Sequence, residues 1–114
     1  MPHPAVISVE SQADSVVIHV LLDHLDDTNI ETVRESVEDA GSKSPHLPVI
    51  LDMAQVYFVV SLSLGVLVEL SQQFKGRGQR LVLTNLQAPV RQVIAITRLD
   101  KLFEIQGDSA CLES

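Results

Sequence analysis

The sequence predicts an α/β fold: one mixed β-sheet covered by amphipathic helices, with elements in the order ββαβαβαβ. Three observations lead there. Two β-branched runs, "AVISVE" and "SVVIHVLL", stand a short polar turn apart near the N-terminus. Three later segments repeat their apolar residues with a helical period, and the short apolar runs "VILDM", "RLVLT" and "LFEI" alternate with them. A hairpin followed by such an alternation calls for parallel strands joined by right-handed helical crossovers.

Each element has its local reason. Strands are expected at about 5–10 and 16–22, where β-branched side chains suit a pleated, half-buried surface, with "SQAD" as the turn between them. In "DDTNIETVRESVEDAG", Ile30, Val33, Val37 and Ala40 fall on one helical face. Thr28 followed by Glu31 fits a capping box, and Gly41 fits a C-terminal stop. "SKSPHLP" is a loop, since Pro45 and Pro48 do not suit a helix interior. "VILDM" is a strand ending at Asp52. Tyr57 to Val60 reads as the end of a strand or a buried loop. A helix follows over about 62–74, with Leu64, Leu67, Val68 and Phe74 at helical spacing. "KGRGQ" turns the chain into "RLVLT". "QAPVRQVIAITRL" is a helix with Pro89 in its first turn, where the missing N–H costs little, and "LFEI" is a last short strand.

The 114 residues suit one domain over 1–114, with a core over about 5–106 and a polar tail at 107–114. Apolar residues make up 46 %, which places the chain among globular proteins. No apolar run reaches the roughly 18 residues of a membrane span. "MPHPAVISVE" does not read as a secretory signal. The single cysteine, Cys111, lies in the polar tail, so a cytoplasmic, reducing setting is expected. With 15 acids against 8 bases the net charge is −7, which argues against nucleic-acid binding. The acid-rich run from Asp23 to Asp39 reads mostly as a solvated helix face. Its acids before the helix could also meet a basic partner.

Few residues suggest catalysis. "GRG" at 76–78 is too short for a phosphate loop and precedes a strand instead of following one. A nucleophile elbow is lacking, and His3, His19, His24 and His46 show no ligand pairing. His19 reads as a sheet residue. His24 stands among Asp23, Asp26 and Asp27, and a solvated acidic loop is favoured there over a metal site. No catalytic residue, metal or cofactor is therefore expected. The serines of "VSLSLG" remain. Ser61 suits a helix N-cap, worth about 1 kcal/mol. The same position suits a phosphoacceptor: a phosphoryl group there would meet the positive end of the helix dipole and add about −1.5 to −2 charge to a neutral, apolar surface. From the residues alone both readings stay open.

From "VILDM" through "SLSLG" and "GQRLVLTN" to "VRQVIAITRLDKLFEI", the sequence resembles the STAS domain, the fold of bacterial anti-sigma factor antagonists. "LLDHLDDTNIETVRESV" resembles that family's second strand, Leu-Asp loop and first helix. The resemblance runs from about Val6 to Ile105. It implies a non-enzymatic switch: an antagonist that binds an anti-sigma factor which is also a serine kinase, is released by phosphorylation and is restored by a phosphatase. It places the phosphoacceptor on Ser61 and the partner face on Asp26, Ser63, Leu64 and Gly65, with Ser63 as the competing, more enclosed hydroxyl. The sequence departs from the family pattern in three places. Val60 stands where the family usually has Asp before the serine. Thr97-Arg98-Leu99 stands for a usual Thr-Gly-Leu. The C-terminal helix is reduced to "QGDSACLES", which would leave a flank open for a partner or for weak homodimerisation.

Three functions follow in order. The first is an anti-sigma factor antagonist or related signalling module. The second is a scaffold on the same fold that binds without phosphorylation, which Val60 favours. The third, a small nucleotide-binding or hydrolytic domain, lacks both a phosphate loop and paired catalytic groups.

Overall fold

The β-branched runs pair as a hairpin, and "VILDM", "RLVLT" and "LFEI" join the same sheet. The computed structural model describes residues 6–106. Strands β1 (Ile7–Ser11) and β2 (Val16–Val20) are antiparallel, with Ile7 opposite Val20 and Ser11 opposite Val16. β4 (Val49–Asp52), β6 (Leu81–Thr84) and β7 (Glu104–Gln106) add in parallel, giving the order β1-β2-β4-β6-β7. The connections between the parallel strands carry α1 (Ile30–Ser42), α2 (Ser61–Gly76) and α3 (Ala88–Ile96). Two further short strands, β3 (His24–Leu25) and β5 (Phe58–Val59), form a separate parallel pair that the sequence reading did not contain. The expected start of β1 at Ala5 and the tail at 107–114 lie outside the described residues.

The pleat decides which side chains enter the core. Val16, Ile18 and Val20 of β2 align with Val49 and Leu51 of β4 and with Leu81 and Leu83 of β6, and all are buried. The helices supply Val33 and Val37 from α1, Leu64, Leu67, Leu70 and Phe74 from α2, and Val90 and Ile94 from α3 to the same cluster. On the other face of the sheet the register aligns His19, Asp52 and Thr84 across β2, β4 and β6.

Three local expectations are corrected. The capping box does not form: α1 has Asn29 at its N-cap without a side-chain cap bond, and Glu31 pairs instead with Arg34 at 2.7 Å. Gly41 is not the residue beyond the helix but lies in its last turn, where an added Cβ would stand 2.7 Å from Cζ of Phe74. Glycine is needed there for the approach of α1 to α2. The helix α3 ends earlier than expected. Arg98 turns to φ 61°, its N–H donates to the Ala95 carbonyl at 3.0 Å, and the Leu99 N–H donates to the Ile94 carbonyl at 3.0 Å. This is a Schellman ending with Arg98 in the left-handed place that glycine usually takes.

Candidate functional site

The β3–β5 pair brings two distant loops together. The Tyr57 N–H donates to the Asp23 carbonyl at 2.8 Å, and the Val60 N–H donates to the Leu25 carbonyl at 3.1 Å. Leu25 lies beside Val59, so the next register step sets Asp26 level with Val60, one residue from Ser61. Alternation along these short strands buries Leu25 and Val59 and turns their neighbours outward. Of the two readings of 57–60, a strand end and a buried loop, the strand is found as β5, and the run is only partly buried. Val59 is inside, but Tyr57 is 57 % and Phe58 60 % exposed, and Leu62 in the first turn of α2 is 56 % exposed.

Ser61 opens α2 and is exposed. Its expected role as a capping residue is corrected: Val60 occupies the N-cap with extended backbone, and no side chain caps the helix. The Ser61 hydroxyl makes no hydrogen bond among the described residues. The first intrahelical bond runs from the Leu64 N–H to the Val60 carbonyl at 3.1 Å, and no acidic residue stands in the first turn. The positive end of the helix dipole is thus uncompensated by any side chain of its own turn.

The other expected partner-face residues divide. Gly65 is exposed, with nothing within 4 Å of a Cβ built on it. Leu64 is 1 % and Ser63 0 % exposed. Both side chains are buried in this conformation, and the apolar side chains exposed near Ser61 are those of Leu62, Tyr57 and Phe58. The helical period, which puts positions 60, 64 and 67 on one face, hides Leu64 and presents Leu62. The Ser63 hydroxyl is buried with no hydrogen-bond partner among the described residues.

Asp26 is held by its own loop. Its Oδ1 accepts the Thr28 N–H at 2.9 Å and the Thr28 hydroxyl, and its N–H donates to Oδ1 of Asn29 at 3.0 Å. These bonds, the Thr28 hydroxyl first, hold the Asp26 carboxyl below the usual carboxylate range and keep it charged. His24 lies between Asp23 at 2.7 Å and Asp26 at 3.3 Å, and the hydrogen bond to Asp23 raises its pKa. Among the described residues no group of three His, Cys, Asp or Glu side chains is placed to hold a metal ion.

A second polar cluster, not visible in the sequence, fixes the base of the site. Asp52 ends β4 and accepts the Ala54 N–H at 3.0 Å, Nδ2 of Asn85 at 3.1 Å and, through its other oxygen, His19 at 2.7 Å. Burial alone would raise the Asp52 pKa; the bonds from Asn85, Ala54 and His19 outweigh it and hold the carboxyl low. On its other side His19 meets Glu10 at 3.2 Å, and the hydrogen bonds to Glu10 and Asp52 raise its pKa. Gln87 donates to the Ala54 carbonyl, and the Met53 N–H donates to the Thr84 carbonyl at 3.0 Å. The segment leading to Ser61 is thereby tied at its origin to β2 and to the β6–α3 turn.

A hairpin continued by alternating helices and parallel strands, with a serine at a helix start beside an acidic loop, defines a class of small α/β domains. The chain belongs to one family of that class, the STAS domain, whose sequence pattern matches residues 7–110. Solved structures share the fold. An anti-sigma-factor antagonist (STAS) domain protein from Planctomyces limnophilus superposes with a TM-score of 0.75 at 22 % identity, over 87 % of each chain. An anti-sigma factor antagonist from Mycobacterium paratuberculosis gives 0.73 at 21 % identity, over 87 % of this chain and 82 % of that one. The Bacillus cell fate determinant SpoIIAA in its phosphorylated form gives 0.63 at 18 % identity, over 94 % and 96 %. Among the described residues no helix is long and apolar enough to cross a membrane.

Proposed function

We propose that this STAS domain acts as an anti-sigma factor antagonist: a binding module, not a catalyst, that engages an anti-sigma factor with serine kinase activity in the cytoplasm and is released when Ser61 is phosphorylated. The observation that carries this reading is the free, exposed Ser61 hydroxyl at the uncapped start of α2, with exposed Tyr57, Phe58 and Leu62 within four residues of it. Apolar and aromatic side chains of this kind supply most of the energy of a protein contact. A phosphoryl group in their midst adds about −1.5 to −2 charge, which the helix N-terminus tolerates and an apolar or acidic partner surface does not. The resemblance to antagonists, one of them solved in a phosphorylated form, agrees with this. In this reading Asp26 and Gly65 border the contact. Gly65 admits a close approach of the partner's backbone, and Ser63 and Leu64 shape the site from beneath.

The test is incubation with the cognate kinase and ATP, with the phosphate mapped by mass spectrometry, and partner binding measured in parallel. Labelling on Ser61, its loss in Ser61→Ala, and binding weakened at least about tenfold in Ser61→Asp are expected, a change of about 1.4 kcal/mol. Phosphate on Ser63 alone, or unchanged labelling of Ser61→Ala, rejects the assignment. A second reading, constitutive binding, is favoured by Val60, because no carboxylate precedes the hydroxyl to orient it or the kinase's metal. It predicts full partner binding with no labelling by an active kinase.

A further inference from the structure

We infer that a cleft at the far end of α2 from Ser61 is a binding site for a small organic phosphate, a phosphomonoester with an apolar or ring-shaped body. The cleft has a volume of about 520 Å³, within the size range of small-molecule sites. It opens between the last turn of α2, the start of β6 and the approach to β7, and Leu81 and Phe103 in its lining are nearly buried. Lys75, Arg80 and Lys101 stand around this apolar lining, and Glu104 is the one acid among the lining residues. With α2 about 24 Å long from its 16 residues, the cleft is separate from the Ser61 surface, and the inference goes beyond the proposed function.

Charge is unevenly divided along the chain, and three of the bases in its later part line the cleft. Residues 1–70 carry eleven acids and two bases, whereas residues 71–106 carry six bases and two acids. Most guanidinium groups near the cleft are engaged. Arg80 is paired with Glu104 on β7, and Arg77 lies over the Phe74 ring at 4.2 Å while its Nε donates to Gln79 at 3.0 Å. Lys75 and Lys101 form no ion pair among the described residues, and both line the cleft. Two lysines that form no ion pair among the described residues and line one cleft match a dianion. The apolar lining favours a ligand whose phosphate is carried on a hydrophobic body over a bare ion. The C-terminal dipole of α2 opposes an anion, and the charge-assisted hydrogen bonds that two lysines can give a phosphate are the stronger effect.

Titration calorimetry of the whole chain with phenyl phosphate as the probe tests this, with inorganic phosphate and phenol as comparisons. The expected result is saturable one-to-one binding that weakens as salt rises. Inorganic phosphate and phenol should each bind at least about tenfold more weakly, and so should phenyl phosphate to the exposed double variant Lys75→Gln, Lys101→Gln. Amide shifts in an NMR titration should centre on Lys75, Gly78 and residues 101–104. Equal affinity for inorganic phosphate, or unchanged binding by the double variant, overturns the site. Binding only to vesicles containing phosphatidic acid, with none to phenyl phosphate, reassigns it to a lipid headgroup and overturns the small-ligand inference. Concentration-dependent association that the double variant abolishes, without phenyl phosphate binding, shows that the cleft receives the acidic end of a second copy instead.

Discussion

Gln79 and Ser63 are both buried polar side chains at opposite ends of α2, and the fold treats them oppositely. The Gln79 side-chain amide donates to the carbonyls of Gly41 and Ser44 at 3.0 Å and of Leu47 at 2.9 Å, so one side chain ties the turn after α2 to the whole loop leaving α1. The Ser63 hydroxyl, in the first turn of the same helix, has no hydrogen-bond partner among the described residues. Interior polar groups are stable when satisfied and costly when orphaned. The cleft end of the molecule is therefore braced by its buried polar group. The Ser61 end carries a local cost, with an unsatisfied hydroxyl and a helix start that no side chain caps. That difference agrees with the switch proposed at Ser61, since regions that change state are drawn from the less stable parts of a fold.

The contrast predicts its own failures. The largest effect is expected at the braced end: Gln79→Ala takes its donor from the Leu47 carbonyl and leaves the Gly41 and Ser44 carbonyls only their backbone N–H donors, and should cost about 1–3 kcal/mol in chemical denaturation. A loss within experimental error would mean that water replaces the amide and that this end is not braced as described. At the other end the sign should reverse. Ser63→Ala removes an unsatisfied hydroxyl at nearly constant volume and should stabilise the chain by roughly 1 kcal/mol. If Ser63→Ala destabilises instead, the hydroxyl has a partner and the two ends are alike.

The smallest effect concerns pH. His19 has a raised pKa in the fold, through Glu10 and Asp52, so its contribution is fully present below the unfolded value near 6.5 and is lost as pH rises through the folded value. His19 is about a third exposed, which limits the contribution to below about 1 kcal/mol. Raising the pH from 6 to 8 should speed amide exchange at Ala54, next to the Asp52 clamp, more than at Gln79. Arg80–Glu104 at the cleft end keeps its charges over that range: Arg80 lowers the Glu104 pKa, so this pair weakens only in acid. His19→Gln should flatten the difference. An identical pH response at both ends in the wild-type chain would rule out the clamp.

The periodic parts of this protein were legible before any fold was known. The β-branched runs and the helical spacing of Val33, Val37, Leu64 and Leu67 lead directly to the hairpin, the helices and the faces they bury, because pleat and helix repeat at fixed intervals. Ser61 was singled out because an apolar run changes period there, which is also a local signal. The resemblance of "VILDM", "SLSLG" and "GQRLVLTN" to the STAS pattern is local in the same sense.

What the sequence did not disclose depends on contacts between distant segments. The β3–β5 pair sets Leu25 against Val59, and only that pairing turns Tyr57 and Phe58 outward. That Leu62 stays exposed while Leu64 is buried depends on how α2 sits against the sheet. Gly41 read as a helix stop and proved to be the gap into which Phe74 fits, 33 residues later. His19 gained its role from Asp52 on a neighbouring strand, and Lys75 shares its cleft with Lys101 because β6 and β7 lie side by side. Element type, helix face and the candidate serine were determined by spacing along the chain, since backbone geometry repeats over a few residues. Which polar groups are satisfied, which apolar groups stay exposed and which charges converge was decided by the tertiary structure, since those depend on register and packing between segments that no local period encodes.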